Sequence, residues 1–118
     1  MPRVSLVAAL AAAAVLAAAA PSGAGSSTLT ATVGPGFTIR LAQDGKVVSH
    51  LQPGRYTLVV ADRSPIHDFH LAGPGLDTRL TSVAFVGRKS VHVTLRKGRY
   101  RYACDPHRSL MHGAFTVG

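Results

Sequence analysis

The chain has 118 residues, of which 47% are hydrophobic, and this length allows one small domain together with a targeting segment. A multi-domain enzyme is excluded. Thirteen Lys and Arg residues against five acidic residues give a formal net charge of +8. The basic residues are scattered and no nucleic-acid motif is present, so the charge favours acidic protein partners or anionic polymers over nucleic acid.

The N-terminus is typical of a secretory signal peptide. A basic start is followed by an unbroken run of small apolar residues over 4–20 and then by "PSGAGSST", which is the order of parts in such a signal. The run is short and rich in alanine, whereas a membrane span needs about 20 strongly apolar residues. We therefore expect no integral membrane span in the mature chain.

The cleavage site follows from the small residues after the apolar run. Ser22 and Ala24 fit the small-x-small pattern, so we expect a signal peptide over 1–24, with cleavage after Ala20 as the alternative. The mature domain then covers 25–118. A signal of this kind predicts a location in the periplasm or outside the cell.

The mature chain is dominated by alternating apolar and polar residues, interrupted at short intervals by Gly, Pro and Asp-Gly. Alternation of this kind is typical of β-strands. Many short strands at this spacing predict one all-β domain with the architecture of a β-sandwich. The predicted strands cover 28–33, 37–42, 46–48, 55–61, 66–71, 80–86, 90–96, 99–104 and 113–117.

Cys104 is the only cysteine, so it cannot form a disulfide within the chain. In the predicted strand 99–104 its side chain lies on the same face as Tyr100 and Tyr102, which is the face directed at the core. Three roles are open to such a cysteine: an inert buried residue, a reactive thiol or a metal ligand.

His67 is the second candidate. In the predicted strand 66–71 it shares a face with Phe69 and Leu71, the pair expected in the core, while His70 lies on the opposite face. A histidine directed into the core needs a hydrogen-bonding partner or a metal. Taken alone, such a histidine is more often hydrogen-bonded than metal-bound, so both roles are open to His67. If this strand supplies a metal ligand, His67 is the first candidate and His70 is the alternative.

The segment "CDPHRSLM" brings Cys104, His107 and Met111 together, and Met111 is the only methionine of the mature chain. A thiolate, an imidazole and a thioether form a soft donor set that suits copper. His67 would complete the set of two histidines, one cysteine and a weak axial methionine that is found in electron-transfer copper sites.

A zinc site and a nucleophilic Cys104–His107 pair are alternatives. A thioether is a poor zinc ligand, and no oxyanion motif accompanies the pair.

These residues carry a resemblance to a known family. The stretches "YRYACDPHRSLMHGAFTV" and "SPIHDFHLAGPG" resemble the blue copper (cupredoxin) family, and plastocyanin and amicyanin most of all; the resemblance covers nearly the whole mature domain. It implies a Greek-key β-sandwich that holds one copper ion, with the first histidine on a strand and the other ligands on one late loop. The implied ligands are His67, Cys104, His107 and Met111.

Two positions depart from the family pattern. Asp68 stands where the family usually has Asn, whose side chain ties the two ligand-bearing segments together by hydrogen bonds. The loop between His107 and Met111 is one residue shorter than in plastocyanin and one longer than in amicyanin, so the plastocyanin spacing would select His112. In both relatives the axial Met is followed by one residue and then Gly, and Gly113 therefore selects Met111.

The resemblance also implies a function. The domain is expected to be a monomeric, non-enzymatic protein that transfers single electrons between Cu(II) and Cu(I) states. The edge of His107 would lie near the surface, and Arg108 would assist docking of an acidic redox partner. A copper carrier or scavenger of the cell envelope could use the same ligands, and a metal-free immunoglobulin-like interaction module is the remaining alternative.

Overall fold

The computed structural model describes residues 27–118, and the predicted signal peptide lies outside them. The described chain contains short β-strands and one turn of 3-10 helix at Asp105–His107. None of its helices is long and apolar enough to cross a membrane. The strands are β1 Thr28–Val33, β2 Ile39–Gln43, β3 Lys46–Val47, β4 His50–Leu51, β5 Gly54–Asp62, β6 Phe69–Gly73, β7 Leu76–Thr81, β8 Gly87–Leu95, β9 Gly98–Ala103 and β10 His112–Val117.

The strands form two five-stranded sheets, in the orders β3-β2-β1-β5-β8 and β4-β10-β9-β6-β7. Both sheets are mixed, because β1 pairs with β5 in parallel and β10 pairs with β4 in parallel, while the other pairs are antiparallel. The prediction of an all-β Greek-key sandwich is confirmed.

The core lies between the two sheets and follows from the alternation in the sequence. In β1, Leu29, Ala31 and Val33 are buried, while the threonines between them point outward. In β9, Tyr100 and Tyr102 are buried as predicted. Burying a large apolar side chain contributes about 1.5–3 kcal/mol, so these inward rows hold the sheets together.

Four predicted strands differ from the observed ones by two residues or more at one or both ends, and one strand was missed. The predicted strand 37–42 begins only at Ile39, and the predicted strand 90–96 begins already at Gly87. The β4 strand was missed. The predicted strand 80–86 is wrong at both ends, because β7 begins at Leu76 and ends at Thr81, and 82–86 form the turn that leads to β8. The predicted strand 66–71 begins only at Phe69 and contains a bulge between Phe69 and His70. His67 and Asp68 belong to the end of the preceding loop and are both buried, so they do not show the alternation of a strand.

Three loops meet at one end of the sandwich. The end of β9 pairs with the start of β6, so the loop 104–111 that follows β9 lies beside the loop 63–68 that precedes β6. The parallel pairing of β1 with β5 brings the turn 34–36 after β1 to the same end. The chain thus gathers three distant segments into one place.

Candidate metal centre

Three of the predicted site residues converge at this end of the sandwich. Cys104 Sγ lies 3.6 Å from Nδ1 of His67 and 3.6 Å from Nδ1 of His107, and the two Nδ1 atoms are 3.1 Å apart. The three donor atoms lie within 4.8 Å of one another, an arrangement that could hold a metal ion. Cys104 and His67 are fully buried and His107 is half-buried. The inward direction predicted for His67 is confirmed.

Backbone hydrogen bonds fold 104–111 into a compact loop. The Cys104 N–H donates to the Met111 carbonyl at 3.0 Å, and the Met111 N–H donates to the His107 carbonyl at 2.8 Å. The His107 N–H donates back to the Cys104 carbonyl at 3.1 Å, within the 3-10 turn. The three side chains predicted to share one loop are therefore held by a connected set of backbone bonds.

Met111 and His112 lie in different environments. The Met111 side chain is fully buried in the core cluster that includes Cys104, whereas His112 begins β10 and is exposed. Packing explains why residue 113 is a glycine, because a Cβ at this position would overlap the ring of Tyr102. The glycine that selected Met111 in the sequence thus lets β10 lie close against β9.

The tautomer of His67 is fixed by a backbone carbonyl. His67 Nε2 lies 2.7 Å from the Gly36 carbonyl oxygen, which can only accept, so Nε2 carries the hydrogen. In the neutral ring this leaves Nδ1 with a lone pair, directed towards Cys104 and His107. A hydrogen bond of this kind orients a ligating histidine and sets which nitrogen can bind a metal.

Phe37 is the part of the site that sequence reasoning missed. Its ring centroid lies 4.9 Å from that of His107 and 5.6 Å from that of His67, both with edge contacts. The sequence predicted that a strand starts at Phe37, but β2 begins at Ile39 and Phe37 lies in the turn before it. Nothing in the local pattern could have marked it, because the contact arises only when the β1–β2 turn meets two loops that are distant in the chain.

Asp68 performs the tie expected of the family's asparagine. Its Oδ1 accepts a hydrogen bond from the Asp105 N–H at 2.6 Å, which joins the segment after His67 to the segment after Cys104. In the predicted strand 66–71 alternation would place Asp68 on the outer face with His70, and this is wrong, since Asp68 is fully buried. Burial raises the pKa of Asp68, the contact with the Asp105 carboxyl raises it further, and nearby Arg79 opposes the change.

His70, the alternative ligand, lies outside the donor cluster found among the described residues. It is half-buried, and its Nδ1 and Nε2 face the carboxylates of Asp105 at 3.0 Å and Asp77 at 2.5 Å. Two carboxylates require two N–H donors, so this geometry favours the imidazolium form. Burial opposes ionisation of Asp105, but hydrogen bonds from neighbours including Arg108 outweigh it and lower its pKa.

The Cys104 thiol is held in its protonated form in the absence of a metal. Burial raises the pKa of Cys104, and the charges of Asp68 and Asp105 add to that change. Backbone N–H groups of Asp68 and His107 act in the opposite direction. A metal that binds the thiolate must therefore displace a proton.

Comparison with known proteins gives the fold. No family model matches the chain, and no curated protein matches it by sequence. A structure of rusticyanin, named as a copper protein, aligns with a TM-score of 0.56 and 16% identity over 77% of this chain and 76% of that chain. Reduced rusticyanin aligns with a TM-score of 0.55 and 18% identity, over 77% and 78%. The chain has the cupredoxin fold.

A third match is a heme-copper terminal oxidase, with a TM-score of 0.55 and 14% identity. The alignment covers 77% of this chain and 63% of the oxidase chain, so this cupredoxin domain spans less than two thirds of that chain. At these identities the likeness concerns the fold, and the chemistry has to be argued from the residues of the site.

Proposed function

We propose that this cupredoxin domain is an exported type 1 copper protein that transfers single electrons between redox partners and is not an enzyme. The observation that carries the proposal is the convergence of three donor atoms, from His67, Cys104 and His107, within 4.8 Å. A thiolate with two imidazoles and a buried thioether nearby is the donor set of electron-transfer copper sites. The predicted signal peptide supports a location in the periplasm or outside the cell.

Each side chain has a role in this proposal. His67 and His107 would bind a single copper ion through Nδ1 and Cys104 through Sγ, and the thioether of Met111 would be the fourth, weaker donor. Copper supplies the one-electron exchange between its Cu(II) and Cu(I) states. The chain supplies pre-positioned donors, because the Gly36 carbonyl fixes the ring of His67 and the backbone bonds fix the 104–111 loop.

The surface beside His107 is suited to contact with a partner. His107 is the least buried of the three clustered donors, and the apolar side chains of Phe37, Ile66 and Leu110 nearby are 53%, 49% and 66% exposed. The exposed Arg108 lies next to this apolar surface, and its charge is partly balanced by Asp105, 2.6 Å away. We propose that a redox protein with an acidic rim docks here, since complementary charge speeds the encounter of two proteins.

The same geometry favours electron transfer over copper delivery. The side chains of His67, Cys104 and Met111 are all fully buried, so releasing the ion would require the ligand loop to open. A carrier is expected to give up copper readily to a chelator, whereas an electron carrier is expected to hold it in both oxidation states.

The test is to add Cu(II) to the purified mature domain and record its visible and electron paramagnetic resonance spectra. We expect one copper per chain and an intense Cys-to-Cu(II) charge-transfer band. Cys104→Ser serves as the control and is expected to abolish the band. Stoichiometric copper binding without such a band would contradict the type 1 assignment.

A further inference from the structure

Two of the proposed ligands are each followed directly by an aspartate: Asp68 follows His67, and Asp105 follows Cys104. Arg79, on β7, places its Nε 3.0 Å from Asp68 Oδ2 and 3.4 Å from Asp105 Oδ2. One guanidinium group therefore contacts carboxyl groups on both ligand-bearing segments. These segments are far apart in the sequence and meet only at the end of the sandwich.

We propose that Arg79 is a positioning residue that clamps the two ligand-bearing segments together through Asp68. The proposal rests on the proposed function for its consequence on copper, but the clamp itself is a property of the copper-free chain. Asp68 Oδ1 accepts the Asp105 N–H at 2.6 Å. Any group that holds the Asp68 carboxyl in place therefore also holds the start of the loop that contains Cys104.

The two carboxyl groups depend on Arg79 unequally. Asp105 is half-buried and also contacts Arg108 at 2.6 Å and His70 at 3.0 Å. Asp68 is fully buried, and its Oδ2 makes no hydrogen bond within the described residues. Among residues 27–118, the basic side chain that forms an ion pair with Asp68 is that of Arg79.

This difference decides what the loss of Arg79 would do. A buried carboxylate that loses its cationic partner is strongly disfavoured, because its charge is then uncompensated. A half-buried carboxylate with two other partners is not. Without Arg79 the Asp68 side chain is expected to leave its position and release the Asp105 N–H. An asparagine at 68 would present an uncharged amide oxygen to the same N–H, and would need no arginine.

The experiment measures the Asp105 amide hydrogen in the copper-free domain, because its exchange rate reports opening of the bond to Asp68. Arg79→Gln is expected to raise the exchange rate about tenfold or more. Arg101→Gln is the matched control: Arg101 is an exposed arginine on β9 of the same sheet and has no ion pair within the described residues. It is expected to leave the rate unchanged.

The rescue is Asp68→Asn combined with Arg79→Gln. In the Asp68→Asn background, Arg79→Gln is expected to change the exchange rate by less than about twofold, because the carboxylate of Asp68, which needs the charge of Arg79, is absent. The proposal is overturned if Arg79→Gln behaves like Arg101→Gln, or if its effect is the same in both backgrounds. If Arg79→Gln does not fold, folding of the double variant supports the clamp and its failure to fold overturns it.

The copper-loaded domain gives a second reading. Arg79→Gln is expected to lose copper to a chelator several-fold faster than Arg101→Gln. The double variant Asp68→Asn/Arg79→Gln is expected to lose copper at about the rate of Arg101→Gln. If the wild-type domain binds no copper, the proposed function fails, while the amide exchange of the copper-free chain still decides the clamp. The two proposals can therefore fail separately.

Discussion

Met111 and His112 are consecutive residues, but the side chain of Met111 is buried and that of His112 is exposed. Because the Met111 N–H and carbonyl are both used to close the loop onto His107 and Cys104, its side chain turns into the core. His112 is the first residue of β10 and pairs with Ala103, and its side chain turns to solvent. Backbone pairing thus assigns the inward position to the thioether.

Met111→Leu tests this assignment. Leucine nearly conserves volume, so folding stability should fall by less than about 1.5 kcal/mol. The thioether is lost, however, and since the axial ligand tunes a site of this kind, we expect a changed visible spectrum and a shifted reduction potential.

His112→Ala is the matched control for this substitution and is expected to change neither the spectrum nor the potential. An unchanged spectrum in Met111→Leu would contradict the axial role of Met111. A change confined to His112→Ala would select the plastocyanin spacing instead.

At the scale of elements, strand positions could be predicted where one face is buried and the other is solvated. In β1, β5 and β9 the predicted and observed bounds agree within one residue at each end, because burial alternates along all of β1 and β9 and along β5 as far as Val60. The period fails where the loop before β6 enters that strand, because His67, Asp68 and Phe69 are all buried. No period of two can encode three consecutive inward side chains.

The site could be predicted only where its residues carry distinctive chemistry. Cys104 and Met111 are the only cysteine and methionine of the predicted mature chain and flank His107 in one loop, so the three could be recognised together, and His67 could be paired with them by its direction. Phe37 could not be found, because its contact depends on how three loops meet. The ionic contacts of β7 are likewise invisible in the sequence, since they arise from the pairing of β7 with β6.

His70 links three elements, because it lies on β6 and contacts Asp77 on β7 and Asp105 at the start of the ligand loop. The hydrogen bond to Asp77 raises the pKa of His70 above its ordinary value of 6.5, Asp105 adds to this, and burial opposes it. A raised pKa in the folded state stabilises the fold fully below the unfolded value of about 6.5. That stabilisation is lost as the pH rises through the raised value.

We therefore predict that His70→Gln costs more stability at about pH 6 than at about pH 9. The side chain of Asp77 is 78% exposed, so solvent screening limits the difference to roughly 0.5–1 kcal/mol. Urea unfolding of the copper-free domain at both pH values measures it. His92→Gln, at an exposed histidine that contacts Thr57, is the control. Equal costs of His70→Gln at the two pH values would contradict the prediction.

At the scale of the whole molecule, folding makes the surface more basic than the composition suggests. All twelve Lys and Arg residues of 27–118 are exposed, whereas only Asp44 and Asp77 of the five aspartates are. Asp62 and Asp68 are buried and Asp105 is half-buried. The folded domain thus presents a field of nearly one sign, which steers anionic partners towards it.

The distance of each charge from the metal centre decides how much it contributes. Along β9 a strand rises about 3.3 Å per residue, so Arg101 lies roughly 10 Å and Lys97 roughly 23 Å from Cys104. The screening length is about 8–10 Å at ordinary ionic strength, so a charge at 10 Å still acts on a partner docked at the site and a charge at 23 Å is screened. Arg101 should assist docking and Lys97 should not.

Stopped-flow electron exchange with hexacyanoferrate, a small anionic redox reagent, tests this at a series of salt concentrations. We expect the rate of the wild-type copper-loaded domain to fall as salt is added, and Arg101→Gln to lower the rate about 1.5–3-fold at low salt while flattening that dependence. Lys97→Gln removes the same charge and should change neither quantity. Equal effects of the two substitutions would show that total charge, and not charge beside the site, governs the encounter.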